Sequence, residues 1–189
     1  MKEFIEFILQ FGNLNEQQIG LISKKSQVVE LEKGDFFWEA GKSIKHVGFT
    51  IKGILRVYYY NNQSEEITRY FIDENLLILY GPHIESNYIP SEYLQAIEKS
   101  ELVVFSKKDW KEISDTIIGW DSIIQKIEAK QHREKLDRRS QLVSQDASTR
   151  YLDFMQKFPN LINRIPLSYI ASYLGITQSS LSRIRKNIQ

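Results

Sequence analysis

The spacing of apolar side chains changes twice along the chain and divides it into three parts. Residues 2–10 carry Phe4, Ile5, Phe7, Ile8 and Leu9, the stripe of a short packed helix. Asn15 is placed to cap a second short helix reaching to about Lys25. From Val28 to about Phe105, short β-branched and aromatic runs alternate with turn signals: Lys33-Gly34-Asp35, Gly41-Lys42, Lys52-Gly53, Asn61-Asn62 and Asp73-Glu74-Asn75. Turns every 8–12 residues or so predict an antiparallel barrel or double-sheet roll. Ile54 to Tyr60 and Ile67 to Ile72 flank the Asn61-Asn62 turn as a hairpin.

From about Lys108 the period becomes helical. Ile113, Ile117, Trp120, Ile124 and Ile127 recur at steps of three and four, and a long helix is expected over 109–144. So narrow a stripe covers little of a barrel, which favours a homodimer interface; packing on the subunit's own roll is the alternative. Beyond it Gln131 to Gln141 is heavily charged, with Leu136 and Leu142 as the apolar residues. Ser144 or Asp146 can start the next helix, which Pro159 stops. A short loop and extended piece, Asn160 to Ile165, follows.

The last segment carries the most information. Leu167, Ile170, Ala171 and Leu174 form one apolar stripe, Gly175 breaks it, and Ile176, Leu181 and Ile184 resume it. Gln178, Ser179, Ser182, Arg183, Arg185 and Lys186 fall elsewhere. Two short helices crossing at a small residue, joined by a glycine turn, with a polar and basic face on the second, are what a helix-turn-helix requires. Thr177 sits where a helix N-cap belongs.

Charge sharpens this picture. The net charge of the 189 residues is only +1, yet residues 145–189 hold six Lys/Arg against two Asp/Glu. A basic end on a nearly neutral chain suits contact with phosphates. The absence of cysteine excludes disulfides, iron–sulfur ligation and thiol catalysis, and fits a reducing cytoplasm. No signal peptide or membrane span is legible. His46, His83 and His132 are scattered, with no His-x-His pair, nucleophile–base arrangement or Gly-rich phosphate loop. An enzyme, metal or haem is therefore not expected.

The chain resembles the Crp/Fnr family of bacterial transcription regulators over essentially its whole length. The sensor half matches through Lys33-Gly34-Asp35, Gly41, Lys52-Gly53-Ile54-Leu55-Arg56 and Glu66 before Phe71. The terminal half matches through Ile170-Ala171-Ser172-Tyr173-Leu174-Gly175-Ile176-Thr177 and Ser180-Leu181-Ser182-Arg183-Ile184. The resemblance implies an α+β fold. A cyclic-nucleotide-binding-like antiparallel β-roll of the jelly-roll or double-stranded β-helix kind spans 1–108, a long dimerisation helix 109–144 and a helix-turn-helix domain 145–189. It implies a homodimer joined through Ile113, Ile117, Trp120, Ile124 and Ile127 that reads an inverted repeat in double-stranded DNA, with RNA polymerase as a candidate further partner. Gln178, Ser179 and Arg183 then face base edges, Ser182 allows close approach, and Ser168, Thr177, Arg185 and Lys186 are phosphate candidates.

The ligand cassette departs from the family. Members that bind cyclic nucleotides use an arginine followed by a small hydroxyl residue for the phosphate, because a guanidinium grips it with two parallel hydrogen bonds. Here that region runs Ile89-Pro90-Ser91-Glu92-Tyr93, and no arginine lies between Arg69 and Arg133. Glu85 and Glu92 would repel a phosphate, so cyclic AMP binding by the usual chemistry is not expected and no cofactor is assigned. Tyr80, His83, Ser91 and Tyr93 are candidate linings for another effector; equally, the pocket can be filled by its own side chains. The chain also stops just after the recognition helix, where many members continue into a β-hairpin wing, so any such contact must come from Asn160–Ile165. That gap leaves an alternative: a small-molecule sensor or scaffold on a cupin-like roll whose terminal helices meet protein rather than DNA.

Overall fold

A computed structural model describes residues 1–79 and 89–188, with all side chains among them except those of 136–144. The chain divides into two compact units, Met1–Val57 with Phe71–Lys130, and Tyr58–Tyr70 with Gln131–Gln189.

The first unit opens with helices α1 (Lys2–Ile8) and α2 (Glu16–Lys25). Asn15 caps α2 reciprocally: its side chain accepts the Gln18 N–H at 2.9 Å, and the Gln18 side chain accepts the Asn15 N–H at 2.9 Å. The strands follow as β1 (Gln27–Leu31), β2 (Phe36–Trp38), β3 (His46–Lys52), β4 (Leu55–Tyr60), β5 (Glu66–Ile72), β6 (Leu77–Ile78), β7 (Tyr93–Ala96) and β8 (Ser100–Ser106). They form two four-stranded sheets, ordered β1-β8-β3-β6 and β2-β7-β4-β5. Neighbours distant in sequence, such as β1 and β8, are the mark of a roll. In the first sheet Val47 lies opposite Phe105 and Phe49 opposite Val103. The double-sheet roll read from turn spacing is the observed architecture.

Helix α1 closes one face of the roll. Phe4 packs 5.2 Å from both Phe49 and Phe105, measured between ring centroids. The series continues through Phe105–Trp110 and Trp110–Trp120, each at 5.3 Å. All but the tilted Phe4–Phe105 pair are edge-to-face, an arrangement that adds to the large apolar area each ring buries.

Here two expectations need correction. The helix expected over 109–144 is two helices, α3 (Lys107–Thr116) and α4 (Trp120–Ser144). Gly119 at φ +86° breaks them, a conformation open to glycine and costly within a right-handed helix. The residues assigned to a dimer interface also lie elsewhere. Ile113, Ile117, Trp120 and Ile127 are buried within a cluster that includes Phe4, Phe7, Ile8, Phe49 and Phe105, and Ile124 packs at its margin. A narrow stripe suffices because α1 supplies the remaining apolar surface.

The second unit contains the tip of the β4–β5 hairpin, the end of α4, and helices α5 (Ala147–Lys157), α6 (Leu167–Leu174) and α7 (Gln178–Ile188). The hairpin tip turns at Asn61, whose N–H donates to the Glu65 carbonyl at 3.0 Å, with Ser64 at φ +59°. Asp146 starts α5, accepting the N–H groups of Ser148 at 2.9 Å and Thr149 at 3.1 Å. The connection after α5 is not the extended piece expected. It coils through turns, with the N–H of Leu161 donating to the Phe158 carbonyl and that of Ile165 to Leu161, both at 3.0 Å. Leu161 and Ile165 are buried, which draws the segment inward.

Candidate nucleic-acid interface

The turn between α6 and α7 fixes the interface. Gly175 adopts φ +66° and ψ +36°, the left-handed conformation that ends a helix without a Cβ penalty. Its N–H donates to the Ser172 carbonyl at 3.1 Å, and the Ile176 N–H donates to the Ala171 carbonyl at 3.0 Å. This bond pair is a Schellman motif. The Thr177 hydroxyl oxygen then accepts the Ser180 N–H at 3.2 Å and caps α7, as the sequence predicts.

Helix α7 is pinned by Leu181, which is 0% exposed. Ile170, Ala171 and Leu174 of α6 are buried with it, as are Tyr151 and Phe154 of α5. Phe154 also packs against Phe158 at 5.0 Å and Tyr173 at 5.6 Å. On the opposite side of α7, Gln178, Ser179, Arg183 and Lys186 are exposed, and Thr177 is exposed at its start. Ser179 and Arg183 are four residues apart and Arg183 and Lys186 three, which sets them on one face, and Gln178 adjoins it at the helix start. Ser182 and Arg185 are half-buried, at the flanks of that face. Ser168 is exposed in the first turn of α6. The candidate DNA contacts are thus brought together on two adjoining helices.

Of the sensor candidates, Ser91 and Tyr93 are among the described residues. Tyr80, His83 and Glu85 lie outside the described residues. Ser91 is exposed, and Tyr93 is half-buried with its ring against Phe36 at 5.8 Å. Sequence reasoning overlooked the burial of two ionisable side chains: Arg56 is 1% exposed and Glu92 3%. Glu92 was legible in hindsight, since it shares the inward period-two row of Leu94 and Ala96. Among the described residues, no three His, Asp or Glu side chains gather as a metal site needs.

No protein-family model matches this sequence, and no curated protein does. Solved structures do. FixK2 from Bradyrhizobium japonicum superimposes with a TM-score of 0.74 at 13% identity, over 86% of this chain and 84% of that one. The regulator CLP from Xanthomonas campestris gives 0.72 at 15% identity, over 93% and 92%. A crp/fnr-family transcriptional regulator from Eubacterium rectale gives 0.73 at 18% identity, over 93% and 84%. The fold is that of the Crp/Fnr regulators. In the region where the family resemblance asks for an arginine and a small hydroxyl, Pro90 and Glu92 are buried and Ser91 is exposed. Residues 160–165 form turns and contain no strand.

Proposed function

We propose that this protein is a sequence-specific DNA-binding transcription regulator that works as a homodimer on an inverted repeat. One observation carries the reading. Helix α7 is anchored by fully buried Leu181 and held at a fixed angle by the glycine turn, while Gln178, Ser179, Arg183 and Lys186 stand exposed on its other side. Gln pairs with adenine and Arg with guanine in a major groove, whereas Lys186 and Ser168 suit phosphates.

One such helix with few basic residues binds weakly. Two helices about one helical turn apart read two half-sites together. With the apolar stripe of α4 in the subunit's own core, we assign the subunit contact to the opposite row: Ile118, Ser122, Gln125, Ala129 and His132. From Ser122 onward this row keeps the alternating three- and four-residue step of a helical seam, and Ile118 stands at the corner before α4. Its members are exposed, Ile118 at 97%. Buried Glu92, in a stretch without arginine where the resemblance asks for one, supports a regulator that does not respond to cyclic AMP. Recovery of bound genomic fragments, followed by mobility shift on the recovered sequence, tests the reading. The wild type shifts a palindromic fragment and Arg183→Ala loses site preference; an Arg183→Ala variant with full preference removes that residue from the interface.

A further inference from the structure

Strand β5 ends its sheet, and on its outer edge the main chain is met by a side chain of the DNA-binding head. The Thr68 N–H donates to the Ser172 hydroxyl oxygen at 2.9 Å, and the Ser172 hydroxyl donates to the Glu66 carbonyl at 3.0 Å. A single α6 hydroxyl thus satisfies the two outward-facing groups that a neighbouring strand would otherwise take. Thr68 is buried, 4% exposed, so its N–H needs a partner there. The same strand is held again at Tyr70, whose ring lies 4.6 Å from the Lys135 ammonium of α4.

Ser172 stands one helical turn after Ser168, and residues four apart share a helix face. That face is the one assigned above to the phosphate backbone, which the first helix of a helix-turn-helix crosses. The hairpin occupying it carries exposed Glu65 and Glu66 beside the contact. Both carboxylates repel a phosphate.

We propose that the Ser172–hairpin contact is an autoinhibitory clamp: the β4–β5 hairpin masks the backbone-facing side of α6, and DNA is bound tightly only after it lets go. The inference rests on the DNA-binding reading above. A duplex binds only the released form, so its apparent affinity is reduced by the fraction clamped. The grip of Lys135 on Tyr70 gives α4 a lever on the same strand.

The test uses the full chain, a random-sequence duplex pool at low salt, and hydrogen exchange at the Thr68 amide. Ser172→Ala removes both hydrogen bonds; Ser172→Thr keeps the hydroxyl. The clamp predicts faster Thr68 exchange in Ser172→Ala and about fivefold to tenfold tighter duplex binding, a shift of the size two modest hydrogen bonds control. Ser172→Thr follows the wild type in both. Faster exchange with unchanged or weaker binding overturns the inhibition and leaves the DNA-binding reading standing. Unchanged Thr68 exchange overturns the clamp itself. Failure of both wild type and Ser172→Ala to retain duplex overturns the DNA-binding reading, and the inhibition falls with it.

Discussion

Ile127→Ala separates the two uses open to the helical stripe of α4. Ile127 is 0% exposed and lies in the cluster built from α1, β3, β8, α3 and α4. The substitution removes three carbons, a lost transfer term of about 2.4 kcal/mol at roughly 0.8 kcal/mol each. The aromatic series beside it is stiff and closes only part of the gap, so the total is about 3–4 kcal/mol. For a chain of this length that lowers the unfolding midpoint by about 6–15 °C. Tryptophan fluorescence reports the right region, because Trp38, Trp110 and Trp120 all belong to the first unit. The melt is run at two protein concentrations about a hundredfold apart, since unfolding coupled to dissociation depends on concentration and core loss does not. The expected gap between wild type and variant is the same at both. A gap under about 1 kcal/mol at high concentration that widens on dilution, with a lighter species in sedimentation, would refute the core placement and restore the stripe to the subunit interface.

Gly175→Ala places a Cβ on a left-handed residue and costs about 1–2 kcal/mol from backbone conformation alone. The new methyl meets the nearest Arg150 guanidinium nitrogen at an ordinary 3.6 Å. Lower thermal stability of the helical unit together with weaker duplex binding is the expected result. The Thr149 hydroxyl and amide, with the Ser148 amide, hold the Asp146 carboxyl below its ordinary value. A depressed folded pKa gives stability that is present above the unfolded value and lost as the pH falls through the folded one. Circular dichroism should therefore show acid loss of α5 helicity starting below about pH 4, and Asp146→Asn should keep the cap and flatten that dependence. Arg183→Ala and Lys186→Ala should differ in kind. The first relaxes preference at one base position by about 1–3 kcal/mol, and the second weakens all sequences and reduces the salt slope by about one, both readable by anisotropy titration.

The parts of this fold written in local chemistry were legible. Asn15 with Gln18, Thr177 with Ser180, and Gly175 with its left-handed turn each make contacts within a few residues, and the sequence places each correctly. The Asn61 turn belongs with them. What the sequence left open depended on distant partners. The spacing of Ile113 to Ile127 fixes which side of a helix is apolar but not what covers it; α1, more than a hundred residues earlier, decides that. Segment 160–165 lacks a strong periodicity, and the burial of Leu161 and Ile165 sets its coiled path. Arg56 was hidden because a charged residue in a strand ordinarily signals the solvent face. Ser172 gave no sign at all, since a serine on an exposed helix face is common and its partners lie on β5, over a hundred residues away in sequence.

The break at Gly119 changes what α4 can do. A continuous helix over 109–144 would have one stripe for two tasks. With α3 turned away, α4 begins afresh at Trp120 and presents two different sides. Trp120, Ile123 and Ile127 are buried in the first unit's core, and Ile118 at the corner, with Ser122, Gln125, Ala129 and His132, remains exposed. A subunit contact made by that second row has few apolar groups and several polar ones. Polar residues at seam positions set register at a cost in stability. On the homodimer reading proposed above, association through this row is weak when the protein is alone, and a duplex carrying two half-sites supplies the missing proximity by holding both heads at once. That reading puts strength and selectivity in the paired complex rather than in either helix, in keeping with a candidate recognition surface as modest as Gln178, Ser179, Arg183 and Lys186.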